Sequence, residues 1–395
     1  MPADLSNPAG RAELERAIEL ASSVTEADPV RRAAAVRRLL PPELATPALT
    51  QAGLRAAARG KFGALADRLL FTADGLEQAT RIEVADHRAA RFAAAGLGSV
   101  LDLCCGIGSD ALAFVRAGLR VQAVELDPDT AAIAAANTAG RPVRVSVGAA
   151  EQAGWHAAES VFCDPARRTA RGRTFDPAAY SPGFDFVERL LAEARYAAAK
   201  LGPGIAHELV PAGCEAEWVS YRGGVKEAVL WSAGFSQAGV TRRATVLPAG
   251  LHLTDADPAE PLVGPVGGYL YEPDGAVIRA GLVQQLAALL PGGRRIADQL
   301  AYLSADAVAG GPAAGLGGLA RGFRVLDVLP YSVRRLRAEL ARRQVGTVEI
   351  KKRGVDVDPA ALRRELKPAG PHAITVLLAR LAEQRVAILA EPLDR

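Results

Sequence analysis

The chain has 395 residues, of which 50% are hydrophobic, and its 47 Lys and Arg against 44 Asp and Glu give a formal net charge of +3. This length and apolar content suffice for two or three folded domains. No segment approaches the roughly 18 uninterrupted apolar residues of a membrane helix, and residues 1–21 carry charges where a signal peptide needs an apolar run, so we expect a cytoplasmic protein without a membrane partner.

Apolar side chains recur at helical spacing through residues 11–70, with interruptions at Pro29 and at Pro41 and Pro42. The apolar positions are Leu14, Ile18, Val36, Leu39, Leu40, Leu54, Leu65 and Leu69. This pattern predicts a helical N-terminal domain over residues 1–75.

A glycine turn follows the first predicted strand, which covers residues 100–103. Gly106 and Gly108 come next and precede a helical segment at 111–117. Glycine lets the backbone turn tightly beside a ligand, and a helix N-terminus presents free backbone amides there. The strand, turn and helix together predict a cradle for a nucleotide cofactor.

The next predicted strand, at 121–124, ends in Glu125. This acid lies about 20 residues beyond Gly106, which is where sites of the Rossmann type place a carboxylate against ribose hydroxyls. Its position supports a cofactor that contains ribose.

Two classes of cofactor compete for this cradle. Gly106, Gly108 and Ala111 also satisfy the relaxed dinucleotide pattern, so the glycines alone do not exclude NAD. Asp102, at the end of the first strand, would repel a pyrophosphate but would attract a cation. S-adenosylmethionine (SAM) carries an ammonium and a sulfonium and no phosphate, so we predict SAM and keep NAD as the alternative.

A second motif begins with the apolar strand 160–163, which stops at Asp164 and Pro165. Arg167 and Arg168 then give a basic loop, which we interpret as a phosphate or base-face contact because an arginine fork pairs with phosphate through two bonds. Asp164 as the cap of an ordinary turn, and solvated arginines, are the structural alternatives.

The four cysteines show no metal-ligand spacing. Three of them fall at predicted strand ends, where a small thiol packs well. We predict reduced cysteines at Cys104, Cys105, Cys163 and Cys214, and no metal site.

The cradle resembles the first motif of class I SAM-dependent methyltransferases, acid-x-Gly-x-Gly-x-Gly, with Cys104 in place of the first glycine. The run from Asp102 to Gly108 is also similar to the first motif of RNA cap guanine-N2 methyltransferases. The resemblance implies an α/β fold with a Rossmann-like sheet. In this fold Asp102 would bind the methionine ammonium, Glu125 would bind the ribose hydroxyls, and the backbone near Gly148 would hold the adenine. The cofactor-binding residues it implies are Asp102, Cys104, Gly106, Gly108, Glu125, Leu126, Gly148 and Ala149.

Members that methylate amines carry Asp-Pro-Pro-Tyr or Asn-Pro-Pro-Tyr at the end of the fourth strand. Asp164 and Pro165 match the start of that motif, whereas Ala166 and Arg167 do not match its end. The resemblance implies that the Asp164 carboxylate and the Pro165 carbonyl hold the target amine, so we predict both as catalytic residues. Three aromatic residues are candidates either for stacking on an extruded base or for the core: Phe175, Tyr180 and Trp231.

The rest of this domain, assigned to residues 76–250, is predicted as a helix at 184–200 and strands at 204–210, 218–222, 227–231 and 244–247. The last three strands resemble the antiparallel ending of the class I fold. Breaks rich in Pro and Gly at 254–268 and at 305–322 delimit a connecting region, 251–330, and a C-terminal domain, 331–395.

The C-terminal domain holds fourteen Lys and Arg against eight Asp and Glu, a net +6, so the remainder of the chain is at −3. We predict a helix from Ser332 to 343, a strand at 347–351, a short helix after Asp358, and a hairpin of 374–378 with 385–389. Such a basic stretch is either a solvated face or a phosphate-binding surface. We predict substrate contacts at Lys351, Lys352 and Arg353.

The run 345–355 resembles the THUMP-like domain found behind bacterial class I methyltransferases, as do 222–231, with Glu227, and 269–279, with Glu272 and Arg279. THUMP domains proper belong to RNA-modifying enzymes, so the resemblance implies an RNA substrate. We predict a SAM-dependent methyltransferase that methylates a nitrogen of an RNA base. A small-molecule or protein methyltransferase and a noncatalytic SAM- or NAD-binding protein are the alternatives, and the sequence leaves the oligomeric state open.

Overall fold

The computed structural model describes residues 7–166, 168–169, 172–173, 180–308 and 316–393, with the backbone alone at 168–169 and 172–173. The chain forms two compact units. The first, here the N-terminal unit, comprises Met1–Cys214 with Val229–Ser236; the second, the C-terminal unit, comprises Glu215–Ala228 with Gln237–Arg395. The four-part division made from the sequence stays a prediction.

The N-terminal unit begins with the predicted helical region. Asparagine, aspartate or proline residues mark the starts of the first three helices; for example, Asp28 accepts hydrogen bonds from the amides that open the second helix. Leu14, Ile18, Val36 and Leu69 form a buried core as expected, whereas Leu39 is 56% exposed. The helices are α1 (Pro8–Ser23), α2 (Pro29–Leu39), α3 (Pro42–Phe62), α4 (Ala73–Gln78) and α5 (Ile82–Ala94).

A parallel sheet with the order β7-β4-β1-β2-β3 follows in the same unit. This is the Rossmann-like arrangement, and β1 is the point where the strand order reverses, so a ligand site is expected at its carboxyl end. Its elements are β1 (Ser99–Leu103), α6 (Ser109–Arg116), β2 (Arg120–Glu125), α7 (Pro128–Asn137), β3 (Val143–Val147), β4 (Val161–Cys163), the short hairpin β5 (Arg168–Thr169) and β6 (Gly172–Arg173), α8 (Phe184–Glu193) and β7 (Ala197–Leu201).

The second half of the predicted helix at 184–200 is wrong. The predicted strand at 204–210 is also wrong, over its whole length. Helix α8 stops at Glu193, and residues 197–201 form β7, which pairs in parallel with β4. Residues 204–210 hold only a turn and a short 3-10 helix. Alanine favours helices locally, but all five residues of β7 are buried, and a strand covered on both faces accepts small apolar residues. The correction moves Lys200 from the end of a helix to the end of a buried strand.

The C-terminal unit opens with strands β8 (Glu215–Tyr221), β9 (Gly224–Trp231), β10 (Arg242–Leu247) and β11 (Leu251–Thr254). The division between the two units falls within β9. Strand β10 pairs with β8 in parallel and with β11 antiparallel, so the antiparallel ending expected for the last predicted strands is wrong for the pair β8 and β10.

A second sheet in this unit has the order β13-β14-β12-β15-β18-β17-β16. The helix, strand, helix and hairpin predicted for the C-terminal domain all form, with Ser332 and Asp358 as helix caps. The elements are β12 (Tyr269–Pro273), α9 (Gly275–Arg279), α10 (Val283–Ala288), β13 (Arg294–Arg295), β14 (Leu303–Ala305), β15 (Ala320–Pro330), α11 (Val333–Arg342), β16 (Val345–Arg353), α12 (Pro359–Leu366), β17 (His372–Leu381) and β18 (Gln384–Pro392).

The sequence predicts neither a membrane-spanning helix nor a metal site. Across the described ranges, the helices are too short or too polar to cross a membrane. The same part of the chain brings no three metal-ligating side chains together, and all four cysteines are free thiols.

Candidate active site

A cavity of about 570 Å³ lies in the N-terminal unit at the carboxyl ends of β1, β2 and β4. It meets the expectation for a Rossmann-like sheet, in which ligands bind at the strand ends beside the reversal of strand order. Asp102 and Gly108, both predicted from the sequence, are not among its lining residues. The predicted residues that line it are Cys104, Gly106, Glu125, Leu126, Gly148, Ala149, Asp164 and Pro165.

The turn between β1 and α6 has a left-handed backbone at three positions. Cys104 has φ 62°, Gly106 has φ 56° and Gly108 has φ 83°. Gly108 directly precedes α6, and its carbonyl accepts from Leu112 N. Cys104 thus adopts a conformation that glycine takes without strain, and it stands where the class I motif has its first glycine.

We expect Cys104→Gly to leave the free energy of unfolding unchanged or to raise it by up to about 1 kcal/mol, because relief of the left-handed strain offsets the added entropy of the unfolded chain. Cys105→Gly is the matched control: Cys105 is buried in the core without a left-handed backbone, and its loss should cost about 2 kcal/mol. Denaturant unfolding of both variants measures this. Equal destabilisation of the two would contradict the assignment of strain to Cys104.

The half-buried Glu125 closes the turn from the neighbouring strand. Its Oε2 accepts a hydrogen bond from the Gly106 amide at 2.9 Å, and its Oε1 accepts one from the Asp127 amide at 3.1 Å. Each carboxylate oxygen has lone pairs for a further donor. The end of β2 therefore presents an oriented carboxylate to the cavity, with lone pairs that can accept from hydroxyl groups.

Asp102 lies behind the cavity lining, with its side chain fully buried. Neither of its carboxylate oxygens has a hydrogen-bond partner among the described residues. Burial raises the pKa of the Asp102 carboxyl well above its usual range, and the nearby Asp110 and Asp164 carboxylates add to the rise. A buried acid without a partner is costly, so a cationic ligand near it would be stabilised.

Asp164 follows β4, and its amide donates to the Leu103 carbonyl at 3.2 Å. Its carboxylate forms an ion pair with the ammonium of Lys200, at the end of β7. Lys200 also lines the cavity and donates to Thr80 Oγ1 at 3.0 Å. Sequence reasoning missed Lys200, because it was assigned to a helix; the only available signal was a lone lysine after three alanines.

Carboxylates dominate the charge of the cavity. Among its described lining residues the cationic side chain is Lys200, whereas the acids are Asp74, Glu77, Asp110, Glu125, Asp127, Glu151 and Asp164. An excess of carboxylates favours a cationic ligand and opposes the pyrophosphate of a dinucleotide. Leu126, which is 64% exposed, adds an apolar side chain to the cavity lining. These residues fit SAM better than NAD.

Comparison with known proteins agrees with this geometry. Two curated relatives from Mycobacterium tuberculosis, strains CDC 1551 and H37Rv, are each described as an uncharacterized S-adenosylmethionine-dependent methyltransferase. Each is 38% identical over 339 residues, which cover 83% of this chain and 90% of the relative. The chain belongs to the SAM-dependent methyltransferases.

The comparisons also support the architecture. The crystal structure of a putative methyltransferase from Porphyromonas gingivalis W83 matches with a TM-score of 0.74 at 21% identity, over 98% of this chain and 99% of that one. Residues 320–392 match the family model described as THUMP domain-like. The methyltransferase therefore has a Rossmann-like sheet, uses SAM as its cofactor, and carries a THUMP-like domain at residues 320–392.

The residues predicted to contact an RNA base or phosphate differ in what the structure shows of them. Arg167 and Phe175 lie outside the described residues, and Arg168 is described only by its backbone in β5. Tyr180 is buried, and Trp231 is fully buried against Phe92 and Phe235. Tyr180 and Trp231 therefore belong to the core and are not placed to stack on an extruded base.

The three predicted contacts in the C-terminal unit of the methyltransferase point to different faces of β16. Lys351 and Arg353 lie on one face and form ion pairs with Glu272 of β12. Lys352 lies on the other face and is exposed. The structure therefore brings Lys351 and Arg353 together around a carboxylate, and it leaves Lys352 apart from them.

Proposed function

We propose that this methyltransferase transfers the methyl group of SAM to a nitrogen of an RNA base. The observation that carries the proposal is that Asp164 and Pro165 line the same cavity as Glu125 and Gly106. An acid and a carbonyl at the end of β4 are suited to accept hydrogen bonds from an amine. The cofactor supplies an electrophilic methyl group on a sulfonium.

Some residues of the cavity would bind the cofactor, and Asp164 would position the acceptor. Glu125 would accept from the ribose, the backbone at Gly148 and Ala149 would lie along the adenine, and Asp102 would act through water on the methionine ammonium. Asp164 would accept an N–H of the acceptor and orient its lone pair. Orientation of this kind supplies roughly 7 to 11 kcal/mol of the barrier reduction.

The RNA part of the proposal is supported by the THUMP-like match and by the net charge of +6 over residues 331–395. Basic surfaces bind nucleic acid through phosphates, with release of counterions. A small-molecule or protein substrate is the competing proposal. It predicts methyl transfer that survives ribonuclease treatment.

The direct experiment incubates the protein with SAM labelled in its methyl group and with total RNA from cells that lack the gene. We expect label in RNA, lost on ribonuclease treatment and retained on protease treatment. The Asp164→Ala variant is the negative control. Label that resists ribonuclease and disappears with protease would replace the RNA proposal by a protein substrate.

The exposed cations of the C-terminal unit give a second prediction. A short connection leads from α11 back into β16, so Arg334 and Arg335, at the start of α11, lie toward the end of β16 that carries Lys352. All three are exposed, with no ion pair among the described residues. We expect their replacement by glutamine to weaken RNA binding and to flatten its salt dependence by roughly 0.7 per lost contact on single strands.

Filter binding at several salt concentrations measures the slope. The matched control replaces Arg31, Arg37 and Arg38, three exposed arginines of α2, by glutamine. A further variant with Lys351→Gln and Arg353→Gln tests the cations paired with Glu272. If the first variant and the α2 control bind RNA equally at every salt concentration, the cations of α11 and β16 are only a solvated face.

A further inference from the structure

A chain of polar contacts runs from Asp164 into the interior of the N-terminal unit. Lys200 pairs with Asp164 and donates to Thr80 Oγ1 at 3.0 Å. Thr80 Oγ1 donates in turn to Asp110 Oδ2 at 2.9 Å, and Asp110 forms an ion pair with Arg88. The Lys200 side chain is 6% exposed and that of Asp164 24%. The lysine is thus held within the protein, and the carboxylate retains an open side.

Burial of the Lys200 ammonium costs folding stability, so we expect it to have a role in the cavity. An ammonium withdrawn from water loses several kcal/mol of solvation, and a buried ion pair is often no more stable than the apolar residues that would replace it. The other residues of β7 are three alanines and Leu201, all fully buried, so an apolar side chain would suit the strand. The strand nevertheless places an ammonium at the cavity edge, against the acid proposed to orient the acceptor.

We propose that Lys200 is a positioning residue for methyl transfer that acts through Asp164. Its ammonium occupies one side of the Asp164 carboxylate, which leaves the remaining lone pairs to accept an N–H of the substrate. Because the same ammonium lies at the cavity edge, it lowers the attraction of the cavity for a cationic ligand, although the acids of the lining still outnumber it. The orientation of an acceptor rests on the proposed function; the effect of Lys200 on the charge of the cavity does not.

The first test needs no acceptor. Calorimetry compares the affinities for SAM and for S-adenosylhomocysteine, which lacks the methyl group and the sulfonium charge. We expect Lys200→Met to raise the ratio of SAM affinity to S-adenosylhomocysteine affinity about 5-fold, because a repelling charge is removed, and Asp164→Asn to lower it. Lys200→Arg keeps the charge and should keep the ratio. If the ratio is the same in Lys200→Met and Asp164→Asn as in the wild type, the pair does not face the reacting centre and the proposal is overturned.

The second test uses methyl transfer to total RNA from cells that lack the gene. We expect Lys200→Met to lower kcat about 100-fold with little change in KM for RNA, and Lys200→Arg to retain much of the activity. The double variant Lys200→Met with Asp164→Asn should be no slower than Asp164→Asn alone, because the lysine acts through the acid. Lys226→Met, at an exposed lysine of β9, is the matched control.

The outcomes separate the two proposals. If wild-type protein labels no RNA, the proposed function fails, and the binding ratios still decide the role of Lys200. Losses that multiply in the double variant, or an equal loss in Lys200→Arg and Lys200→Met with lowered thermal stability in both, would make Lys200 a structural residue and overturn the positioning role.

Discussion

Replacement of Asp164 by alanine should lower methyl transfer by about 10² or more while SAM affinity stays within a few-fold of wild type. The acceptor would lose the group proposed to orient its lone pair, whereas the predicted cofactor contacts at Gly106 and Glu125 are untouched. Transfer of labelled methyl groups gives kcat, and calorimetry gives the affinity. Asp164→Asn is the sharper probe because it keeps the shape and one acceptor oxygen but removes the charge.

The ion pair with Lys200 complicates the alanine variant. A lysine that is 6% exposed would be left without its carboxylate, and removal of one partner of a buried pair typically costs about 3 to 5 kcal/mol. Thermal unfolding must therefore accompany both variants. Normal turnover in Asp164→Ala and Asp164→Asn on a substrate that the wild type methylates would remove Asp164 from the catalytic step.

The cofactor cradle could be predicted because its signals are local. The strand that carries Asp102, the glycines at 106 and 108, and the strand that ends in Glu125 lie within one stretch of about 25 residues. In such a stretch the spacing fixes which groups meet at the end of a parallel sheet. The same locality explains why the helix, strand, helix and hairpin after Ser332 were also predicted.

Lys200 could not be predicted in the same way. Its position depends on the pairing of β7 with β4, and this pairing overrides the helical preference of the alanines before it. Its partner Thr80 lies 120 residues away in the sequence and also shows no local signal. Tertiary contacts of this range are invisible to patterns read over a window of 10 to 20 residues.

The net charge of the C-terminal domain was predictable, but the placement of its cations was not. Lys351, Lys352 and Arg353 are consecutive, yet a strand sends neighbouring side chains to opposite faces. Glu272, the partner of Lys351, lies 79 residues earlier, on β12. A run of cations in a sequence therefore does not make one basic surface, and Lys352 differs from its two neighbours in exposure.

Glu125→Ala should weaken SAM binding by roughly 1.5 to 3 kcal/mol, the usual worth of a hydrogen bond to a charged group, which is about a 10- to 150-fold rise in Kd. The carboxylate holds the Gly106 amide at 2.9 Å, so its loss removes both a proposed ribose acceptor and a support of the turn. Calorimetry measures Kd, and unfolding of the cofactor-free protein measures the second effect.

Two further variants distinguish these contributions. Glu125→Gln keeps an acceptor oxygen for the Gly106 amide but loses the charge and the bond from the Asp127 amide, so it should lower the stability of the cofactor-free protein less than Glu125→Ala and still bind SAM more weakly. Asp129→Ala removes an exposed acid from the first turn of α7, outside the cavity, and should leave Kd unchanged. An unchanged Kd in both Glu125 variants would mean that the acid at the end of β2 serves only the turn, and the ribose would then need another acceptor in the cavity.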